Sequence, residues 1–83
     1  MAATAATAKL TERERLVRHA VWVLNRELTA QDITNAELAR RVGVHRSTIT
    51  RLLDPNGNPT LGSLALAFEA IGLRVHLNPI AIP

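Results

Sequence analysis

Apolar residues recur at helical spacing in four stretches of the chain, and in a fifth they alternate. The first stretch opens with Thr11 and Glu14, spaced as a capping box in which each residue satisfies a backbone donor of the other. It runs to about Leu28, with Val17, Val21, Leu24 and Leu28 on one stripe and Leu16, Ala20 and Val23 on the next. That face is wider than a small bundle needs, so Trp22 belongs either to the core or to a surface covered by another subunit. The second and third stretches lie between Thr34 and Asp54 and are treated below. Thr60 caps the fourth, which carries Leu61, Leu64, Ala65, Phe68 and Ile71 as core positions and stops at Gly72. From Leu73 to Asn78 apolar and polar residues alternate strictly up to Pro79, which predicts one half-buried strand. A lone strand needs partners for its backbone. They come either from the same strand of a second copy, as a two-stranded antiparallel ribbon, or from the chain's own N-terminal tail. Met1 to Ala8 is an Ala/Thr tail of low complexity, predicted to be flexible.

The span TNAELARRVGVHRSTITRLLD predicts two short helices joined by a tight glycine turn. Thr34 and Glu37 form a second capping box, and Leu38, Ala39 and Val42 face inward. Gly43 supplies the positive φ that the turn requires. A helix from about His45 to Leu53 follows. On its wheel Ile49, Leu52 and Leu53 share one side, with Val44 leading in, while Arg46, Ser47, Thr50 and Arg51 share the other. Ala39 sits where the two helices cross, and a larger side chain there would push them apart. Between Glu37 and Asp54 stand four arginines and no acid, a local +4 against the +3 of the whole chain. That concentration of charge separates a DNA-reading unit from an ordinary helical hairpin with a solvated face.

Position for position, Leu38, Ala39, Val42, Gly43, Val44, Ile49 and Leu52 resemble the helix-turn-helix of the Xre/Cro/CI-type proteins of phage and bacterial repressors. The polar loop from Asp54 to Thr60 and the helix opened by Leu61 and Leu64 extend the resemblance, which covers about Asp32 to Gly72. It implies an all-α, lambda-repressor-like four-helix bundle, here followed by the short strand paired across a dimer. It also implies that the helix starting near His45 enters the major groove of double-stranded DNA. Arg46 is then the first candidate for reading bases, with Ser47 and Thr50 beside it and Arg51 on bases or phosphates. Asn35 looks like the family's phosphate-holding residue, or else it assists the cap. Asn56 and Asn58 are similar candidates, or else they serve the turn. His45 departs from the pattern, since serine or threonine often stands there; it caps less well and either touches a phosphate or is a plain helix-start residue. The ending ALAFEAIGLRVHLNP is also similar, over fewer and simpler features, to HigA-like addiction-module antitoxins, which would make a protein toxin a partner.

At 83 residues the chain is one domain with a marginal core, so oligomerisation is expected. The predicted division is a tail over 1–8, the DNA-binding domain over 9–72, and a dimerisation strand and tail over 73–83. Leu73, Val75, Leu77 and Trp22 are the interface candidates of a homodimer. With no cysteine, no disulfide framework, thiolate nucleophile or zinc-thiolate site exists. His19 and His76 lack a second ligand at helical spacing, and no nucleophile, base and orienting group come together, so no metal, cofactor or catalytic activity is expected. No signal-peptide core and no membrane-length apolar run occurs, which makes the bacterial cytoplasm, or that of a phage-infected cell, the expected setting. RNA is disfavoured, because its A-form major groove excludes a helix and the chain lacks aromatic stacking platforms.

Overall fold

The computed structural model describes residues 10–82, so the expected flexible tail over 1–8 lies outside the described residues. Four α-helices follow one another: α1 Glu12–Ala30, α2 Asn35–Val42, α3 Arg46–Leu52 and α4 Leu61–Ala70, with a single 3-10 turn at Pro55–Gly57 between the last two. The all-α bundle matches the expected fold class. None of the described helices is long and apolar enough to cross a membrane.

Each helix starts on the residue its sequence nominates. Thr11 Oγ1 accepts the Glu14 N–H at 3.1 Å while Glu14 Oε1 accepts the Thr11 N–H at 3.2 Å, a complete capping box. The Thr11 hydroxyl, which donates to Glu14 Oε1 at 2.9 Å, and then the Thr11 N–H hold the Glu14 carboxyl below its usual range. α1 ends with Asp32 at φ 55° and the Ile33 N–H folded back onto the Leu28 oxygen at 2.9 Å.

The core is one cluster. α1 contributes Val17, Val21, Leu24 and Leu28; α2 contributes Leu38 and Ala39; α3 contributes Ile49 and Leu52; Leu64, Ala67, Phe68 and Ile71 close it from α4 and its cap. Fully burying one such aliphatic side chain contributes about 1.5–3 kcal/mol. Leu16 is half-buried, Ala20 and Val23 pack against the cluster from its edge, and so does Leu53.

Two expectations need correction. Leu61 and Ala65 are exposed while Ala67 is fully buried, because α4 is rotated to aim Leu64, Ala67, Phe68 and Ile71 at the other helices. Val44 is 39 % exposed, since the chain leaving Gly43 swings its side chain to the rim of the turn. Of the two places open to Trp22, the core is not the one it takes: it is 57 % exposed on α1, stacked on His19 with ring centroids 6.1 Å apart and with the Arg26 guanidinium 4.9 Å from its ring. The strand expected from Leu73 to Asn78 needs a second copy or the chain's own tail as its partner; among the described residues of this single chain no ladder forms, and residues 73–82 run on from Gly72 without helix, turn or bend.

Candidate nucleic-acid interface

Helices α2 and α3 are set by the turn between them. Gly43 adopts φ 86°, and both its N–H and that of Val44 return to the Ala39 oxygen, at 2.8 and 3.0 Å. Ala39 is buried at the crossing, where its methyl leaves room for α3 to approach. From there Ile49 and Leu52 turn inward, and Arg46, Ser47, Thr50 and Arg51 are all exposed on the opposite side, as the wheel requires.

The hydrogen bonds within α3 sort these four residues. His45 caps the helix with its ring: Nδ1 accepts the Ser47 N–H at 3.1 Å and lies 2.8 Å from Ser47 Oγ. A ring nitrogen that accepts a backbone N–H carries no proton, so in this geometry Nε2 holds the ring's proton and can donate it outward. Thr50 Oγ1 donates to the Arg46 oxygen at 3.2 Å, which leaves its lone pairs and methyl for an incoming surface. Both hydroxyls are thus engaged within the helix. Among the described residues, the guanidiniums of Arg46 and Arg51 make no ion pair or hydrogen bond, so all their donors are open.

Arg40 and Arg41 behave differently. The Glu37 carboxylate accepts Nε of Arg40 at 3.2 Å and Nε of Arg41 at 2.9 Å, and a second Arg40 nitrogen closes a fork. These bonds hold the Glu37 carboxyl at about 2 and raise the Arg40 guanidinium in turn. Arg41 also reaches the Ala70 oxygen at 3.4 Å and so ties α2 to the end of α4. The local +4 is therefore partly spent inside the protein, and the uncommitted charge of the reading side is that of Arg46 and Arg51.

The same fork changes the start of α2. Thr34 Oγ1 accepts the Glu37 N–H at 3.1 Å, but the Glu37 carboxylate does not return to the Thr34 N–H, so the expected capping box is only half formed. The N–H groups of Asn35 and Ala36 find no acceptor among the described residues. Asn35 is exposed at this helix start and takes no part in the cap. A helix start with open N–H groups and an amide beside them suits an anion such as a phosphate.

Asn56 and Asn58 lie in the loop after α3. The Asn56 N–H is held by Asp54 Oδ1 at 2.9 Å, and Asn58 takes φ 53° to bring the chain round to Thr60. Both line a shallow cleft with the cap residue Thr11 and with Arg13, Glu14 and Arg18 of α1. Arg13 and Arg18 escaped the sequence reading, because only the tertiary fold sets the first helix beside a loop some forty residues later. Trp22, on α1, shares neither the cleft nor the reading side, and Leu73, Val75 and Leu77 follow α4.

Gly57 fixes the end of the reading helix. A Cβ at this position would lie 2.5 Å from the Arg51 carbonyl oxygen, so the loop and α3 must part to admit one. Gly57→Ala should therefore cost about 1–3 kcal/mol. At Gly62, in the first turn of α4, a Cβ would meet only Thr60 Oγ1 at 4.0 Å, an ordinary van der Waals contact. There the same exchange should gain about 0.5–1 kcal/mol. Urea unfolding of the two variants checks the contrast, and equal midpoints would refute the close approach. On the other flank of α3, Asn25 Nδ2 bonds the Val21 oxygen at 3.0 Å and reaches the Leu53 oxygen at 3.4 Å.

Two crossed helices with a glycine turn, an exposed basic side on the second and a supporting bundle define a helix-turn-helix unit. A family model described as Helix-turn-helix matches residues 24–76, more than half of the chain, and the chain belongs to this family, of Xre/Cro/CI type. It is a DNA-binding transcription regulator that takes double-stranded DNA. No curated protein and no solved structure matches it.

Proposed function

We propose that the protein is a dimeric repressor that reads an inverted-repeat operator through α3. The carrying observation is the pair of open guanidiniums, Arg46 and Arg51, exposed on the side of α3 away from buried Ile49 and Leu52. Laid in the major groove, Arg46 donates two hydrogen bonds to guanine O6 and N7. Arg51 meets a base or a phosphate further along, and Ser47 and Thr50 supply shorter contacts, the Thr50 methyl against a thymine methyl. Asn35 with the open N–H groups of α2 holds one backbone phosphate, and His45 a second through Nε2. Asn56 and Asn58, beside Arg13 and Arg18, hold the flanking strand. Residues 9–72 form the DNA-binding domain. Residues 73–83 pair two copies through Leu73, Val75 and Leu77, with Trp22 on the surface the second copy covers.

The test is a titration of the full chain on a palindrome with half-sites about 10 bp apart. Affinity should fall about 100-fold or more between about 50 and 200 mM salt as phosphate counterions are released. Binding that ignores salt, or no binding, would reject the reading. A second reading, an antitoxin-like inhibitor, keeps the DNA binding but gives the apolar tail to a protein toxin, because Leu77, Ile80 and Ile82 are 58 %, 84 % and 84 % exposed. A monomeric full-length chain that binds DNA is the result that favours it.

A further inference from the structure

Arg13, Arg15 and Arg18 all stand on the first two turns of α1, and the fold treats them differently. Arg15 Nε bonds Glu12 Oε1 at 3.2 Å and lines the groove that α1 shares with Leu77 and Ile80. Arg13 and Arg18 instead border the cleft of about 410 Å³ between α1 and the loop after α3. Among the described residues their guanidiniums make no ion pair and no hydrogen bond. Asn56 and Asn58 line the same cleft with side-chain amides that are equally unengaged, since Asp54 holds only the Asn56 backbone N–H. The one carboxylate lining it, Glu14, is turned to the helix cap, where Oε1 accepts the Thr11 hydroxyl at 2.9 Å and the Thr11 N–H at 3.2 Å. Two open guanidiniums against one engaged carboxylate leave the cleft positive.

The loop that forms the far wall is fixed to the reading helix. Gly57 comes so near that a Cβ there would stand 2.5 Å from the Arg51 oxygen, and Asn58 turns at φ 53°. Asn58 borders two surfaces at once: this cleft, and the groove lined by Thr48 and Arg51 of α3. Donors thus run without a break from Arg51 across Asn58 to Arg18 and Arg13, past the end of α3. Guanidiniums suit phosphate because their forked N–H groups match its oxygens, and neutral amides add shorter donors beside them. We infer that this cleft seats a phosphate of the duplex backbone where the strand leaves α3, with Arg13 and Arg18 as its ligands. The inference rests on the DNA reading through α3 and goes beyond it: α1, outside the helix-turn-helix unit, gains two contacts of its own, and Arg15 between them gains none.

Glutamine exchanges at the three arginines test this, since each removes the same charge from the same helix and glutamine is a good helix former. Fluorescence anisotropy over a range of salt gives the slope of log affinity against log salt, on the palindrome and on a random-sequence duplex of the same length. R13Q and R18Q should each lower the slope by about 0.9, and the double variant by about 1.8. The affinity gained per tenfold dilution of salt then shrinks about 8-fold for each single variant. Both duplexes should respond alike, because phosphates carry no sequence. R15Q should leave the slope at the parent's value. R13K and R18K should restore it, because counterion release follows charge, and a loss caused by misfolding would not be restored so selectively.

Equal drops in all three slopes would mean that only the overall charge of α1 is felt, and unchanged slopes for R13Q and R18Q that no phosphate is seated; either result overturns the cleft. A drop confined to the palindrome overturns it too, since a backbone contact acts on every sequence. The other source of the same chemistry is a free phosphate ester, and inorganic pyrophosphate at constant ionic strength probes it. In the complex with duplex it should leave the side-chain amide NMR signals of Asn56 and Asn58 in place, because the backbone already fills the cleft. A shift in the complex that the double variant abolishes would assign the cleft to a free ligand and overturn the backbone contact. A parent chain whose affinity ignores salt on both duplexes fails the DNA reading itself, which keeps the two failures apart.

Discussion

Arg46→Ala should relax the preference at one base pair of each half-site, while Asn35→Ala weakens every operator variant alike. Arg46 is the first residue of α3, exposed, and its guanidinium has no partner among the described residues, so its fork can meet a guanine edge without first breaking a bond in the protein. Its loss should remove about 1–3 kcal/mol of discrimination at that pair, roughly 5- to 150-fold in relative affinity. Arg46→Lys should restore charge but not the bidentate contact, so affinity recovers more than specificity. Asn35, at the start of α2, stands beside open N–H groups that suit a phosphate, and phosphates carry no sequence. Fluorescence anisotropy on a panel of single-base operator variants separates the two patterns. Equal losses from both substitutions across the whole panel would remove the base-reading role from Arg46.

The contrast between Arg46 and its neighbours bears on how charge near a DNA surface is read. Four arginines between Glu37 and Asp54 suggest a strongly basic stripe, yet Glu37 takes two of them. Spacing makes this legible in hindsight: Glu37, Arg40 and Arg41 stand at i, i+3 and i+4, where helical side chains meet. The same spacing explains why the Thr34 cap is half a box, since a carboxylate held by two guanidiniums does not also turn back to a backbone N–H.

Where local signals are strong, sequence and structure agree. The caps at Thr11, Thr34 and Thr60, the turns at Gly43 and Gly72 and the buried stripe of α1 follow from residues in contact within one or two helical turns. α4 is less legible because apolar residues stand at Leu64, Ala65, Leu66, Ala67 and Phe68 in an unbroken run. Such a run points in no single direction, and only packing against α1 and α2 chooses Ala67 over Ala65. The opening by Leu61 misleads for a related reason: the first turn of α4 extends beyond the helices that cover its later turns. For the site, the candidate reading residues are legible because they share one helix face. Arg13 and Arg18, the grip of Asn25 on Leu53 and the need for Gly57 are not, because each depends on segments distant in sequence.

Leu38→Ala should be the most damaging single change to the fold. Leu38 is fully buried in α2, next to Ala39 at the crossing with α3, inside the one cluster that joins all four helices. Removing its isobutyl group forfeits its transfer energy and leaves a space the short helices cannot close, a cost of about 2–5 kcal/mol. For a domain this small, whose total stability belongs near the low end of about 5–15 kcal/mol, that is a large share. Leu38→Met nearly conserves volume and should cost less than about 1.5 kcal/mol. Urea midpoints at matched protein concentration measure both, since the proposed dimer would make the apparent stability depend on concentration. Because Leu38 is buried away from the surface, the alanine variant should lose operator and non-operator binding in parallel as it unfolds, the reverse of what is expected of Arg46→Ala. A Leu38→Ala chain as stable as the parent would mean that α2 is not clamped between α1, α3 and α4, and the placement of the reading helix would lose its support.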